Sequence, residues 1–155
     1  MVATGTEIQV HELAQHLFDL VTHFCLVSPR GRRRSGDLKE VEFLTLSLLH
    51  HHQTLIVGDI QRQLGVLPAQ MSRIIRSLED REHPLITCRI NPHDKRKIDV
   101  TLTPEGMAAF RDYQSARLGG ICNLLSKLSE EDREDLQRLL SKLHDVVGPP
   151  ALLGG

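Results

Sequence analysis

The sequence is poor in aromatic residues: its 155 residues include no tryptophan, and aromatic side chains make up only 3% of them. Leucine and isoleucine dominate the apolar content instead. Because the strands of a β-sandwich are enriched in aromatic and β-branched side chains, this composition favours helices packed on helices. The apolar fraction of 40% is ordinary for a globular protein, so wholesale disorder is not expected.

Long hydrophobic runs are also missing. No apolar stretch approaches the roughly 20 residues that a helix needs to span a bilayer, and no charged-then-apolar leader opens the chain. The three cysteines, Cys25, Cys88 and Cys122, are odd in number and widely spaced, which argues against a secreted disulfide framework. We therefore expect a soluble, cytoplasmic protein without a membrane partner.

An excess of one charge is absent as well, because 19 basic residues are balanced by 20 acidic ones. The charges are nevertheless segregated along the chain. Residues 28–36 contain four arginines and no acid, whereas the acidic excess lies chiefly in residues 129–135. Since counterion release depends on local contacts and not on total charge, such a chain can still bind a polyanion.

Two short segments, "VGDIQRQLG" and "PAQMSRIIRSLED", have the apolar periodicity of helices. The first ends at Gly65, a residue suited to a left-handed helix stop, and the second has Pro68 at its first position. Only Gly65, Val66 and Leu67 separate them, so the pair predicts a helix-turn-helix. Residues 85–90 and 97–102 then predict a β-hairpin, and the combination is a winged helix.

Longer helices flank the winged helix on both sides. Their predicted N-caps are Thr6, Asp37, Thr103 and Ser129, each followed by apolar residues at helical spacing. These helices carry more apolar surface than so small a domain can bury alone, which predicts dimerisation. The fold class is thus mainly α with a small β-hairpin wing (α+β). We divide the chain into a winged helix-turn-helix DNA-binding domain, a helical dimerisation region in two segments and a flexible tail: residues 37–102, residues 6–28 with 103–147, and residues 148–155.

The second helix of the pair offers polar side chains for reading bases. With its apolar residues buried, the opposite face can reach base edges in a major groove. Gln pairs bidentately with adenine and Arg with guanine, each worth about 1–3 kcal/mol of discrimination. A solvated polar face would look the same on an isolated helix, but the turn and the wing favour DNA. The predicted contact residues are Pro68, Ala69, Gln70, Ser72, Arg73 and Arg76.

The tip of the hairpin carries Asp94, Lys95, Arg96 and Lys97, which we predict to contact DNA. Charged residues are also common in plain surface turns. Here, however, Asp94 is placed to brace Arg96 two residues on and to orient its guanidinium before binding. A braced arginine at a hairpin tip suits a narrow minor groove, where the negative potential is enhanced.

From about Thr54 to Gly106 the sequence resembles the MarR (multiple antibiotic resistance regulator) family of winged-helix transcription factors. The matching segments are "LGVLPAQMSRIIRSLED", the wing "DKRK" and "VTLTPEG", which is similar to the family's D-x-R followed by L-T-x-x-G. The resemblance implies a homodimer that binds pseudo-palindromic double-stranded operators, often as a repressor that a small-molecule effector or an oxidant releases. By motif position, Arg96 takes the minor-groove role and Asp94 braces it.

Two features depart from the family pattern. The family usually has a glycine between the recognition helix and the wing, whereas this chain has "REHPL" at residues 81–85. The loop that contains Arg32, Arg33 and Arg34 is also longer and more basic than the family pattern leads us to expect. Extra phosphate contacts and a plain solvated loop are both consistent with these three arginines.

Cys25 admits two interpretations. It is comparable with the sensor of the hydroperoxide-sensing branch of the family, and nearby arginines would supply the electropositive surroundings that a sensor thiol needs. Its apolar neighbours Phe24 and Leu26 instead favour an inert, buried thiol. We favour the buried thiol, and we expect Cys88 and Cys122 to lie in the core.

Neither a metal site nor any cofactor is predicted. Consecutive histidines such as "HHH" at 50–52 point in different directions on a helix and rarely share a metal. Signatures of an enzyme are also missing, since the chain has no phosphate-binding glycine loop, no nucleophile elbow and no HExxH. We predict a sequence-specific transcriptional regulator. The alternatives are a degenerate winged helix that binds other proteins, and a metal- or redox-sensing regulator.

Overall fold

The computed structural model describes residues 5–27 and 38–148, and the chain divides after Asp37 into two compact units. The first unit contributes one helix, α1 (Gly5–Val27). None of the described helices is both long enough and apolar enough to cross a membrane. The second unit holds the remaining elements: α2 (Glu40–His52), β1 (Thr54–Ile56), α3 (Val57–Leu64), α4 (Pro68–Glu79), β2 (Ile86–Ile90), β3 (Ile98–Leu102), α5 (Pro104–Leu125) and α6 (Glu130–Val147).

Helix α1 begins at Gly5, so Thr6 lies inside the helix and the predicted cap at Thr6 is wrong. The apolar residues recur at helical spacing, as the sequence predicts. Their side chains are exposed in the single chain: Leu13 is 68% exposed and Phe18 is 70% exposed. A helix with such a surface needs a partner to remove it from water.

Helix α2 lies at the centre of the second unit, where Leu46 and Leu49 are almost fully buried. It begins at Glu40, two residues later than predicted, and Lys39 occupies the N-cap position. The predicted cap, Asp37, lies outside the described residues. The Glu42 side chain closes this end of the helix, since its Oε1 accepts a hydrogen bond from the Lys39 backbone N–H at 2.8 Å.

The sheet has three antiparallel strands in the order β1-β3-β2, one more than the predicted hairpin. Strand β1 has only three residues, too few for an alternating pattern to be visible in the sequence. It forms because Leu55 is opposite Val100 of β3, and both side chains are buried against the helices. The two predicted strands are confirmed, each starting one residue later, at Ile86 and at Ile98.

Helix α5 is joined to α2 by stacked aromatic rings. Phe43 lies between Phe110 and Tyr113 of α5, with ring centroids 5.4 Å and 4.2 Å apart. Phe110 is one of eleven apolar side chains in a single buried cluster that every element of the second unit except α6 supplies or packs against. The few aromatic residues of the chain therefore fix the start of α5 on the winged helix.

The last two helices begin where the sequence predicts. The side chain of Thr103 accepts a hydrogen bond from the Gly106 N–H, and that of Ser129 accepts one from the Asp132 N–H. Helix α5 continues through Gly119 and Gly120, and within the described residues nothing lies within 4 Å of a Cβ added at either. In the described part of the single chain, no residue of α6 is buried.

Candidate nucleic-acid interface

The predicted helix-turn-helix is confirmed as α3, a three-residue turn and α4. Gly65 adopts the left-handed conformation with φ 66°, which glycine reaches without a steric penalty. Its N–H donates to the Gln61 carbonyl at 2.9 Å and to the Arg62 carbonyl at 3.2 Å, so the end of α3 is closed. Buried Ile60 and Met71 anchor the two helices in the core.

Helix α4 turns a polar surface outward. Met71, Ile74 and Leu78 are buried, and Ile75 is half-buried. The opposite arc carries the whole set of predicted contact residues, and all of them are exposed: Pro68, Ala69, Gln70, Ser72, Arg73 and Arg76. Two arginines and a glutamine on an exposed helical face, with no acid between positions 68 and 78, suit contact with a polyanion.

The hairpin tip is ordered by its own hydrogen bonds. The Asn91 side-chain oxygen accepts from the backbone N–H of His93 at 2.8 Å and of Asp94 at 3.0 Å. The Asn91 amide donates to Asp99 of β3 at 2.9 Å, and the Lys97 N–H donates to the Asp94 carbonyl at 3.0 Å. An asparagine that bonds the backbone two and three residues on is a stable turn device. The tip therefore holds its charged residues in a fixed loop.

The expected contact between Asp94 and Arg96 is present. Asp94 Oδ1 accepts from the Arg96 backbone N–H at 3.0 Å and from Arg96 Nε at 3.2 Å. The Arg96 side chain is 91% exposed, so the carboxylate orients a guanidinium that projects into solvent. These hydrogen bonds, from the side chain first and then from the backbone, hold the pKa of the Asp94 carboxyl below its ordinary value of 3.8. Lys95 and Lys97 are exposed on the same tip.

The root of the wing is clamped although the usual glycine is missing there. The Leu85 N–H donates to the Leu78 carbonyl of α4 at 3.0 Å, and the Leu85 carbonyl accepts from the Thr103 N–H at 3.1 Å. The Thr103 hydroxyl donates to the Pro84 carbonyl at 2.6 Å and accepts from the Gly106 N–H at 3.0 Å. Thr103 thus links the departing recognition helix to the start of α5, and the segment around Pro84 is held at both sides.

Gly106 allows this clamp to close. A Cβ added at Gly106 would lie 3.0 Å from the Leu85 carbonyl carbon and closer still to its oxygen, and both atoms belong to the backbone. No side chain fits in that space, so the spacing of Thr103 and Gly106 in "LTPEG" reflects a close approach of two backbone segments. The motif can be recognised in the sequence, but the close approach of Leu85 that requires a glycine there is visible only in the structure.

The remaining predicted residues are the three arginines of the loop and the three cysteines. Arg32, Arg33 and Arg34 lie outside the described residues. Cys25 is exposed on α1, contrary to the burial that its apolar neighbours suggested. Cys122 is also exposed and Cys88 is half-buried, so neither is a fully buried core residue in the single chain.

One buried charge escaped the sequence reasoning. Glu42 is only 2% exposed, although it carries a carboxylate. The available signal was its position between Val41 and Phe43 in the apolar part of the helix, since an acid in such a place is either exposed or paired. Here it is paired with Ser77 and Arg81, at and beyond the end of α4.

An exposed polar recognition helix, a tight turn and a charged wing define a winged-helix protein of the DNA-binding type. Comparison with known proteins shows which proteins this chain is similar to. Residues 38–98 match the model of the MarR family. The HTH-type transcriptional repressor MdtR of Bacillus subtilis is 29% identical over 102 residues, which are 66% of this chain and 64% of that repressor.

Two further proteins are similar to this chain. The organic hydroperoxide resistance transcriptional regulator of B. subtilis is 28% identical over 106 residues, 68% of this chain and 69% of that regulator. The crystal structure of S. aureus MepR in its DNA-binding conformation superposes with a TM-score of 0.60 at 25% identity, over 87% of this chain and 98% of the other. Over residues 38–98 the chain is thus similar to the MarR family, and the two B. subtilis relatives are transcriptional regulators.

Proposed function

We propose that the protein is a homodimeric repressor that binds pseudo-palindromic double-stranded DNA in the cytoplasm. The observation that carries the proposal is Arg96, braced by Asp94 and exposed at an ordered wing tip. The exposed residues Gln70, Arg73 and Arg76 of α4 supply the second half of the interface. In this arrangement α4 enters a major groove and Arg96 enters the flanking minor groove.

The division of labour between the two parts follows from their chemistry. Base edges are read by directional hydrogen bonds from α4, whereas the wing contributes charge to a narrow groove. The repressor role is supported by the MdtR relative, which is a transcriptional repressor. Dimerisation is supported by the exposed apolar faces of α1 and of α6, each of which needs a partner to cover it.

The test is a binding titration of the protein with duplexes from the DNA upstream of its own gene, against scrambled duplexes of equal length. A regulator should prefer one upstream segment by at least about a thousandfold over the scrambled DNA. Arg73→Ala should weaken that preference, because a guanine contact is lost, while non-specific affinity changes little. Equal affinity for all duplexes would reject sequence-specific regulation and favour the protein-binding alternative.

The signal that releases DNA is proposed to be a small molecule or an oxidant. For the oxidant, the observation is the exposure of Cys25 on α1, and one relative is an organic hydroperoxide resistance regulator. Organic hydroperoxide should release DNA from the wild type but not from Cys25→Ser. Cys122→Ser, which removes another exposed thiol, is the matched control. Release from all three proteins alike would exclude Cys25 as the sensor.

A further inference from the structure

The buried carboxylate of Glu42 lies where the first turn of α2 meets the far end of the recognition helix. Moving an ionised carboxylate out of water is costly unless hydrogen bonds and opposite charge compensate for it. An apolar residue of similar volume would be the cheaper way to fill this place. The presence of a charge there indicates that directional bonds are needed at this point.

Three donors converge on Glu42. Oε1 accepts from the Lys39 backbone N–H at 2.8 Å, within the same helix end. Oε2 accepts from the Ser77 hydroxyl at 2.5 Å and lies 3.4 Å from Arg81 Nη2. Arg81 Nε in turn donates to the Ser77 carbonyl at 3.1 Å. Two of the three donors therefore come from the last turn of α4 and the residues just after it.

The apolar contacts of α4 keep one face of the helix towards the core, but they fix its rotation about its own axis less sharply than hydrogen bonds do. Met71, Ile74 and Leu78 fix how deeply the helix sits in the core, but apolar packing is not directional. Hydrogen bonds have a preferred direction and length, so a bond from Ser77 to a fixed carboxylate resists rotation of α4 about its axis.

Ser77 lies on the side of α4 that carries two predicted base contacts. Arg73 is four residues before it and Gln70 is seven residues before it, a spacing that places all three near one line along the helix. A rotation that moved Ser77 away from Glu42 would turn Gln70 and Arg73 by the same angle.

We infer that Glu42 is a positioning residue for base recognition: through Ser77 and Arg81 it holds α4 in the orientation that presents Gln70 and Arg73 to DNA. The inference rests on the proposed DNA-binding function. Because phosphate contacts tolerate small rotations and base-edge contacts do not, the effect belongs to specificity and not to overall affinity.

The experiment compares Ser77→Ala and Glu42→Gln with the wild type on the preferred upstream duplex and on scrambled DNA. Each variant should lower the ratio of specific to non-specific affinity about tenfold, the weight of one weakened bidentate contact. Affinity for scrambled DNA and the salt dependence should stay unchanged. Ser77→Thr, which keeps the hydroxyl, should have the same ratio of specific to non-specific affinity as the wild type.

Glu40→Gln is the matched control, because Glu40 is an exposed glutamate in the same first turn of α2. Glu40→Gln makes the same change of charge as Glu42→Gln and should leave the ratio of specific to non-specific affinity unchanged. The double variant Glu42→Gln with Ser77→Ala should lose no more specificity than the more affected single variant, because both changes act on the same contact. Active protein is counted by stoichiometric titration, so that partial unfolding does not imitate a loss of specificity.

The outcomes separate the two proposals. If the wild type discriminates but the variants discriminate equally well, or lose specific and non-specific affinity together, Glu42 is only a stabilising residue and the inference fails. An additive double variant would also overturn it. If the wild type itself shows no preference, the DNA-binding function fails, and the positioning role falls with it.

Discussion

At the scale of residues, Arg96 is the side chain whose surroundings are most specialised. Its guanidinium is exposed, yet two side-chain hydrogen bonds and one backbone bond to Asp94 restrict it. The lowered pKa of Asp94 keeps the carboxylate ionised further into the acidic range than an ordinary aspartate. The brace is present above the ordinary pKa of 3.8 and is lost only as the pH falls through the lowered value.

Arg96→Ala should weaken binding by a similar factor on every DNA sequence, because a groove electrostatic contact is lost. The slope of log affinity against log salt should fall by about one unit. Arg138→Ala is the matched control, since Arg138 is an exposed arginine paired with Asp135 on α6. Salt titrations by fluorescence anisotropy measure both slopes, and identical slopes in the two variants would place the wing away from DNA.

Cys88 behaves differently from the exposed thiols. Burial, and then a hydrogen bond and the charge of Glu79, raise the pKa of Cys88 from 9.0 to about 12. Since the thiolate is the reactive form, alkylation of native Cys88 near neutral pH should be at least about a hundredfold slower than in the urea-unfolded chain. Timed iodoacetamide labelling with mass spectrometry measures this. Equal rates in the folded and unfolded chains would contradict the raised pKa.

At the scale of elements, the join between the wing and α5 has the tightest geometry. The Leu85 carbonyl approaches Gly106 so closely that no Cβ fits between them. The clamp formed by Thr103 and Gly106 also explains how the wing is fixed without the family's usual glycine before it. Sequence reasoning found the motif and the N-cap, but the reason for the glycine lies in a contact between segments about twenty residues apart.

Gly106→Ala should lower the free energy of unfolding by about 1–3 kcal/mol, because the backbone must move to admit the methyl group. The loss should appear although alanine is the better helix former. Gly119→Ala is the matched control on the same helix, in open space, and should raise stability by up to about 1 kcal/mol. Urea denaturation measures both variants; a stabilising Gly106→Ala would disprove the close approach.

At the scale of the whole molecule, the single chain leaves many large apolar side chains exposed to water, which is energetically unfavourable. Helix α6 buries none of its residues within the described part of the chain, yet its apolar stripe includes Leu139, Leu140 and Leu143 at 46–52% exposure. A stripe of this kind is stabilised when a second copy covers it. The unfolding temperature should then rise with protein concentration.

In the proposed dimer a second copy covers this stripe, so Leu143→Glu should give a monomer, because it puts a charge into the interface. Ser141→Glu introduces the same charge on the opposite face of α6 and should remain dimeric. Light scattering coupled to size-exclusion chromatography gives the mass of each variant. A Leu143→Glu protein with the mass of the wild type would show that α6 is not in the interface.

The sequence by itself determined which helices form, where the recognition helix begins and which residues brace the wing. These features depend on neighbours within a few positions, through periodicity, capping and a turn in which Asp94 reaches Arg96 two residues on. The tertiary structure alone decided the third strand β1, the close approach at Gly106 and the burial of Glu42 against Ser77 and Arg81. Each of these requires two distant segments to meet, and a contact between distant segments leaves no local pattern from which to predict it.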